Sequence, residues 1–232
     1  MGPPPGRATP ATAPHCSEAP MTALLTTDTL VINQRAKLIE LTNQYDIHDA
    51  DGVELGAIHE QAQSTLRKVV RFTTSVDQFL THRLAVYDAV EGRVLQVARP
   101  AKFVKSRLVV EHGDGRRVGT ILQENVFGKI RFALAGEDGR ALGQIRAENW
   151  RAWDFSIVDR DGTEVARIDK RFVGVLQAAF TTADNYIVHL DPALGGPLRL
   201  LAIAAAAAVD TALKQDPRGL DITDIADVTG IG

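Results

Sequence analysis

A turn dipeptide recurs through the middle of the chain at nearly even spacing. Asp51-Gly52, Glu91-Gly92, Asp114-Gly115, Asp138-Gly139 and Asp161-Gly162 each separate two short segments. The last four glycines lie 23, 24 and 23 residues apart, which fits one hairpin with its connection. An acid followed by glycine supplies the positive φ that a two-residue hairpin turn requires, so each pair predicts a hairpin.

The flanking segments alternate as strands do. Gln44–His48, Arg83–Tyr87, Phe132–Leu134 and Asp154–Val158 enter the turns. Val94–Val97, Val118–Leu122, Leu142–Ile145 and Val165–Ile168 leave them. A period of two puts every second side chain on one buried face. With Thr29–Ile32, Lys68–Phe72 and Asn185–Leu190 the total is about twelve strands. So many short strands predict a mainly β protein, closed as a barrel or stacked as a sandwich. A solenoid is the rival for a repeating pattern, but this repeat is degenerate and stops in a helix.

That helix is predicted over Leu198–Leu213. Gly195-Gly196-Pro197 precedes it, and Lys214 and Pro217 mark its end. Leu200–Val209 is wholly apolar, with alanine at six of its ten positions. A helix apolar on every side must be buried, in protein or in lipid. Sixteen residues span roughly 24 Å, short of the roughly 30 Å of a bilayer core. Burial in protein is therefore expected, with Arg199 and Asp210 at the two mouths of a barrel threaded by the helix.

The ends of the chain lack such patterning. Residues 1–27, rich in Pro, Ala, Thr and Gly, read as a disordered tail without a signal-peptide stretch, and Met21 offers an alternative start. Residues 28–215 form the predicted barrel domain. Residues 216–232, with Asp221, Asp224 and Asp227, read as an acidic disordered tail. Cys16 is the only cysteine, which excludes an internal disulfide and a cysteine-based zinc site. Nineteen Arg against seven Lys, with abundant Ala, matches the bias of GC-rich bacterial genomes.

The formal net charge is −3, which argues against a general nucleic-acid binder. Yet Arg67–Arg117 holds eleven Lys or Arg against five Asp or Glu. Within it, Arg99, Lys102, Lys105 and Arg107 surround Phe103 without an acid, a composition suited to anionic headgroups. The competing reading is a solvated connection between hairpins, with Phe103 turned into the core. His48 and His59 flank the first hairpin, but two imidazoles alone make a poor metal site. Trp150 and Trp153 suit the core or a barrel rim. No nucleophile elbow, phosphate-cradling loop, metalloprotease motif or dinucleotide fingerprint occurs, so no enzyme is expected.

Particular residues add a resemblance. Leu30-Val31-Ile32-Asn33-Gln34, then Glu40, Tyr45 and Asp51-Gly52, is similar to the opening segment of the phospholipid scramblases. Ile168-Asp169-Lys170-Arg171-Phe172 and Phe180-Thr181-Thr182-Ala183-Asp184-Asn185-Tyr186 resemble that family's lysine-aromatic strand and its Phe-Thr-Asp-Ala-Asp-Asn-Phe motif. Asp191 and Ala207-Ala208-Val209-Asp210 resemble the segment around its apolar helix. The resemblance runs from Leu30 to Leu213. It implies the fold shared with the Tubby C-terminal domain and LURP-one-related proteins, a twelve-stranded antiparallel closed barrel around a C-terminal apolar helix.

For function, the resemblance implies a lipid-handling protein on an anionic phospholipid surface, cytoplasmic and peripheral at the inner face of the plasma membrane. Phospholipid scrambling is the further activity it suggests. A soluble interaction module with an unknown protein partner is the alternative, and no nucleic-acid partner is expected. The family's calcium segment departs here at Thr182 and at His189-Leu190-Asp191. Asp184, Asn185 and Asp191 remain as weak donors against the six to eight oxygens calcium takes. No metal or cofactor is expected. The family's palmitoylated cysteine cluster has only Cys16 as a counterpart.

Overall fold

A computed structural model describes residues 22–34, 44–61, 82–99, 107–125, 130–149, 154–169 and 185–214. Twelve strands follow one another: β1 (Thr29–Gln34), β2 (Gln44–His48), β3 (Glu54–Glu60), β4 (His82–Asp88), β5 (Gly92–Arg99) and β6 (Arg107–His112). They continue as β7 (Arg117–Gln123), β8 (Arg131–Gly136), β9 (Ala141–Asn149), β10 (Asp154–Asp159), β11 (Glu164–Asp169) and β12 (Asn185–Leu190). A short helix α1 (Ala23–Thr26) precedes β1, and α2 (Gly196–Lys214) follows β12. Each strand pairs antiparallel with its sequence neighbour, and β12 closes on β1 with Ile32 opposite Tyr186 and Leu30 opposite Val188. Closure leaves no free sheet edge.

Two strands, β3 and β6, lie outside the expected set. The expected strand at 68–72 and the two tryptophans fall outside the described residues. Residues 22–27, expected in the tail, belong to the barrel: Leu24 is fully buried and Leu25 nearly so.

The turns correct the expectation of two-residue loops. The amide of Asp159 donates to the Thr163 carbonyl at 2.9 Å, and that of Gly162 to the Asp159 carbonyl at 3.2 Å. Three residues, 160–162, therefore make the loop, and Gly162 takes positive φ, at 86°. This is a turn ending in a bulge at a left-handed glycine, and the β10–β11 register slips between Ile157 and Val158. The same bonds recur over 49–53, 112–116 and 136–140. Acids fix the loops: Asp159 Oδ1 accepts from the amides of Asp161 and Thr163, each at 2.9 Å.

The inward rows of all twelve strands and α2 form one apolar core. From Leu201 to Ala208, eight consecutive helical residues are each at most 2% exposed. Eight residues exceed two turns, so the helix is covered on every side. An eight-stranded barrel is filled by its own side chains, whereas a wider one accommodates a helix. Alanine lets that helix fit, and α2 packs against β4, β5, β7, β8 and β12.

Candidate functional site

In a meander of this kind the connections alternate between two ends. The hairpins β2–β3, β4–β5, β6–β7, β8–β9 and β10–β11, and the passage from β12 to α2, share one end, here the turn end. The opposite strand termini form the connection end.

The turn end is stoppered. Arg199, 4% exposed, enters at the start of α2 and gathers the carbonyls of the segment before β1. Its Nε donates to Leu25 O at 2.6 Å, and Nη2 donates to Thr26 O and Thr27 O, both at 2.8 Å. Nη2 also meets Asp28 Oδ1 at 3.1 Å, while Nη1 reaches Leu194 O at 3.1 Å. Asp88 holds α1 from the other side. Its carboxylate accepts from the amides of Val90 and Glu91 at 2.9 and 3.2 Å and of Leu24 at 3.4 Å. Burial by itself would raise its pKa, but these bonds from backbone amides hold it below the usual carboxylate value. Arg199 thus takes one mouth of the barrel, as expected. The side chain of Asp210 lies outside the described residues.

The connection end differs inside and out. Its inner wall carries Glu60, Arg99 and Gln123, 8%, 3% and 6% exposed, each continuing the inward row of its strand. All three are engaged in polar or electrostatic interactions. Tyr45 and Tyr186 face inward there too, ring centroids 6.5 Å apart and edge-on. Tyr186, part of the quoted motif, is therefore a core residue.

On the outer wall, Arg107 stands opposite Leu122, and Arg131 opposite Arg146. Arg107 and Arg131 are exposed, Arg146 is half-buried, and Leu122 is 44% exposed. Arg146 Nε donates to Gln144 Oε1 at 3.1 Å, and Gln144 Nε2 to Glu124 Oε2 at 2.5 Å. Among the described residues none of these three arginines forms an ion pair, whereas Arg116, Arg140 and Arg167 do. Like charges directly opposite on adjacent strands destabilise the pair, and Arg131 and Arg146 form such a pair, with Gln144 and Glu124 beside them.

The expected cationic cluster is divided. Arg99 points into the barrel beyond Leu95 and Val97, while Arg107 points out, and Lys102, Phe103 and Lys105 lie outside the described residues. Alternation through Leu95 and Val97 was the signal that could have placed Arg99. Neither Arg131 nor Arg146 was singled out, because only strand register brings them together. Phe180, Thr181 and Asp184 also fall outside the described residues.

Of the weak calcium donors, Asn185 and Asp191 are described, and they are not brought together. Asn185 starts β12 and Asp191 follows its end, so about 20 Å of strand separates them at about 3.3 Å per residue. Asp191 Oδ1 accepts instead from the Ala193 amide at 2.8 Å, fixing the turn into α2. His48 and His59 do not face each other, since His48 pairs with Glu54 and His59 with Gln44. The His59 ring packs on Tyr87 at 5.3 Å.

No helix of the described residues is long and apolar enough to cross a membrane. Comparison with curated proteins and with solved structures gave no significant match. The family model described as Scramblase matches residues 8–213, which takes in every strand and nearly all of α2. The chain belongs to the scramblase family.

Proposed function

We propose that this protein is a non-enzymatic phospholipid-handling barrel that works peripherally on an anionic membrane surface, on the cytoplasmic side. The observation that carries the reading is the burial of α2. A scramblase-family chain whose apolar helix is at most 2% exposed over Leu201–Ala208 keeps that helix for its own core. Contact with lipid is then left to the outer surface of the barrel, where unpaired arginines suit phosphate headgroups.

Co-sedimentation with neutral and anionic vesicles at low and high salt tests this. Binding to anionic vesicles that weakens with salt is expected. Equal recovery with both vesicle types, or none with either, would leave the soluble interaction module as the better reading. Calcium is not part of the proposal, because Asn185 and Asp191 occupy opposite ends of β12. The bound fraction is expected to be the same with calcium and with a chelator.

A further inference from the structure

We infer, independently of any membrane surface, that residues 22–27 form a strap latched across the turn end, which opens as a unit while the barrel stays closed.

The strap stands outside the strand ladder. Pairing of β1 with β12 begins at Thr29, opposite His189, and the Leu190 amide donates to the Asp28 carbonyl at 2.7 Å. The amides of Leu25 and Thr26 donate within the strap to Thr22 O at 3.0 and 3.1 Å, and that of Thr27 to Ala23 O at 3.0 Å. The twelve strands and α2 therefore keep their backbone pairings when residues 22–27 swing away, with Asp28 as the hinge.

Side chains hold the strap closed. Arg199 donates to the carbonyls of Leu25, Thr26 and Thr27, and Asp88 accepts from the Leu24 amide. Leu24 and Leu25 fill the mouth beneath, with Leu24 seated over Gly56, where a Cβ would come within 2.8 Å of its Cδ1. This apolar pair keeps the closed form dominant. Two weaknesses make it the form that gives way first. One helical turn does not persist by itself, and Thr22 at its N-cap makes no side-chain capping bond. The Thr22 hydroxyl is buried without a hydrogen-bond partner, a cost that water relieves on opening. A segment held this way opens locally, at less cost than unfolding the whole.

Opening uncovers the first turn of α2. Arg199, 4% exposed under the closed strap, keeps its bond to Leu194 O at 3.1 Å and gains water in place of the strap carbonyls. The strap thus governs whether the helix inside the barrel is accessible from the turn end. Any ligand that engages only the open form raises its population.

Hydrogen exchange of the full chain, read by mass spectrometry from zero to subdenaturing urea, tests this. Peptides covering 22–28 are compared with peptides from β7 and β8. The strap is expected to exchange about 100-fold or more faster than these strands, yet slower than a free peptide, with no rise as urea is added. Strand exchange should rise with urea, because opening the barrel exposes far more surface. Ile121→Val, in the core wall on β7, should speed strand exchange roughly 2- to 12-fold and leave the strap unchanged. Arg199→Lys, which replaces the guanidinium fork by one ammonium, should speed the strap about 10-fold or more. Equal rates and equal urea slopes in strap and strands, or equal acceleration of both by Ile121→Val, would make α1 part of one unit with the barrel and overturn the strap. Exchange of 22–28 at the free-peptide rate would show that nothing latches it. A strap no faster in Arg199→Lys than in the parent would remove the arginine as its latch.

Discussion

Arg199 and Asp88 carry the turn end between them, by different means. The guanidinium satisfies carbonyls of Leu25, Thr26, Thr27 and Leu194 that the strands leave unpaired. Arg199→Met keeps much of the apolar stem but leaves those acceptors without a donor, that of Leu25 buried and the others part-buried. A loss of about 3 kcal/mol is expected, since each stranded group costs about 1–3 kcal/mol and part of the segment can move to water. Urea denaturation measures it; a loss well under 1 kcal/mol would mean that α1 holds without the arginine. Asp88 gives a pH signature. Its folded pKa is below the unfolded one, so its contribution is complete above the unfolded value, about 4, and is lost as pH falls through the folded value. The melting temperature of the parent should therefore fall between pH 6 and pH 3 by more than that of Asp88→Asn. Parallel profiles would show that Asp88 does not contribute this term.

At the scale of elements, legibility followed local chemistry. The hairpins could be read because each acid-glycine pair is a local signal, though the glycine turned out to end a three-residue loop. β3, Glu54-Leu55-Gly56-Ala57-Ile58-His59-Glu60, was not read, since one β-branched residue in seven gives little strand signal. Gly56 belongs there for a tertiary reason: a Cβ on it would lie 2.0 Å from the Tyr87 carbonyl and 2.8 Å from Leu24 Cδ1. β6 was missed because Arg107 completed a cationic run and was assigned to it. The helix was legible from composition, and its burial makes a quantitative claim. Ala205 is 1% exposed, so Ala205→Phe inserts a ring where the wall leaves no room. A destabilisation of about 1–3 kcal/mol or more is expected by chemical denaturation. A variant of unchanged stability that bound membranes better would show that α2 leaves the barrel.

The whole molecule is a ring of nearest-neighbour pairings that β1 and β12, the first and last strands in sequence, close. Such closure ties the two ends of the sequence into one cooperative unit, because losing either strand opens a free edge on both flanks. The helix enters that unit last in sequence and fills its centre. Ending the chain at Gly195 removes α2 while leaving every strand. Inward side chains such as Leu95, Ile121 and Phe155, now 0%, 1% and 0% exposed, would then line an empty lumen. Burial of each such side chain contributes about 1.5–3 kcal/mol, and an emptied core forfeits dispersion contacts besides. Against a total stability of about 5–15 kcal/mol for a domain, that loss cannot be absorbed. The truncated chain is expected to appear as aggregate or as an expanded species that binds a hydrophobic dye and melts without a cooperative transition. A soluble truncated protein with a sharp melt and the parent's far-ultraviolet circular dichroism would mean that the barrel is self-sufficient. The helix would then be free for a role outside the core, and the peripheral reading of this scramblase-family protein would lose its main support.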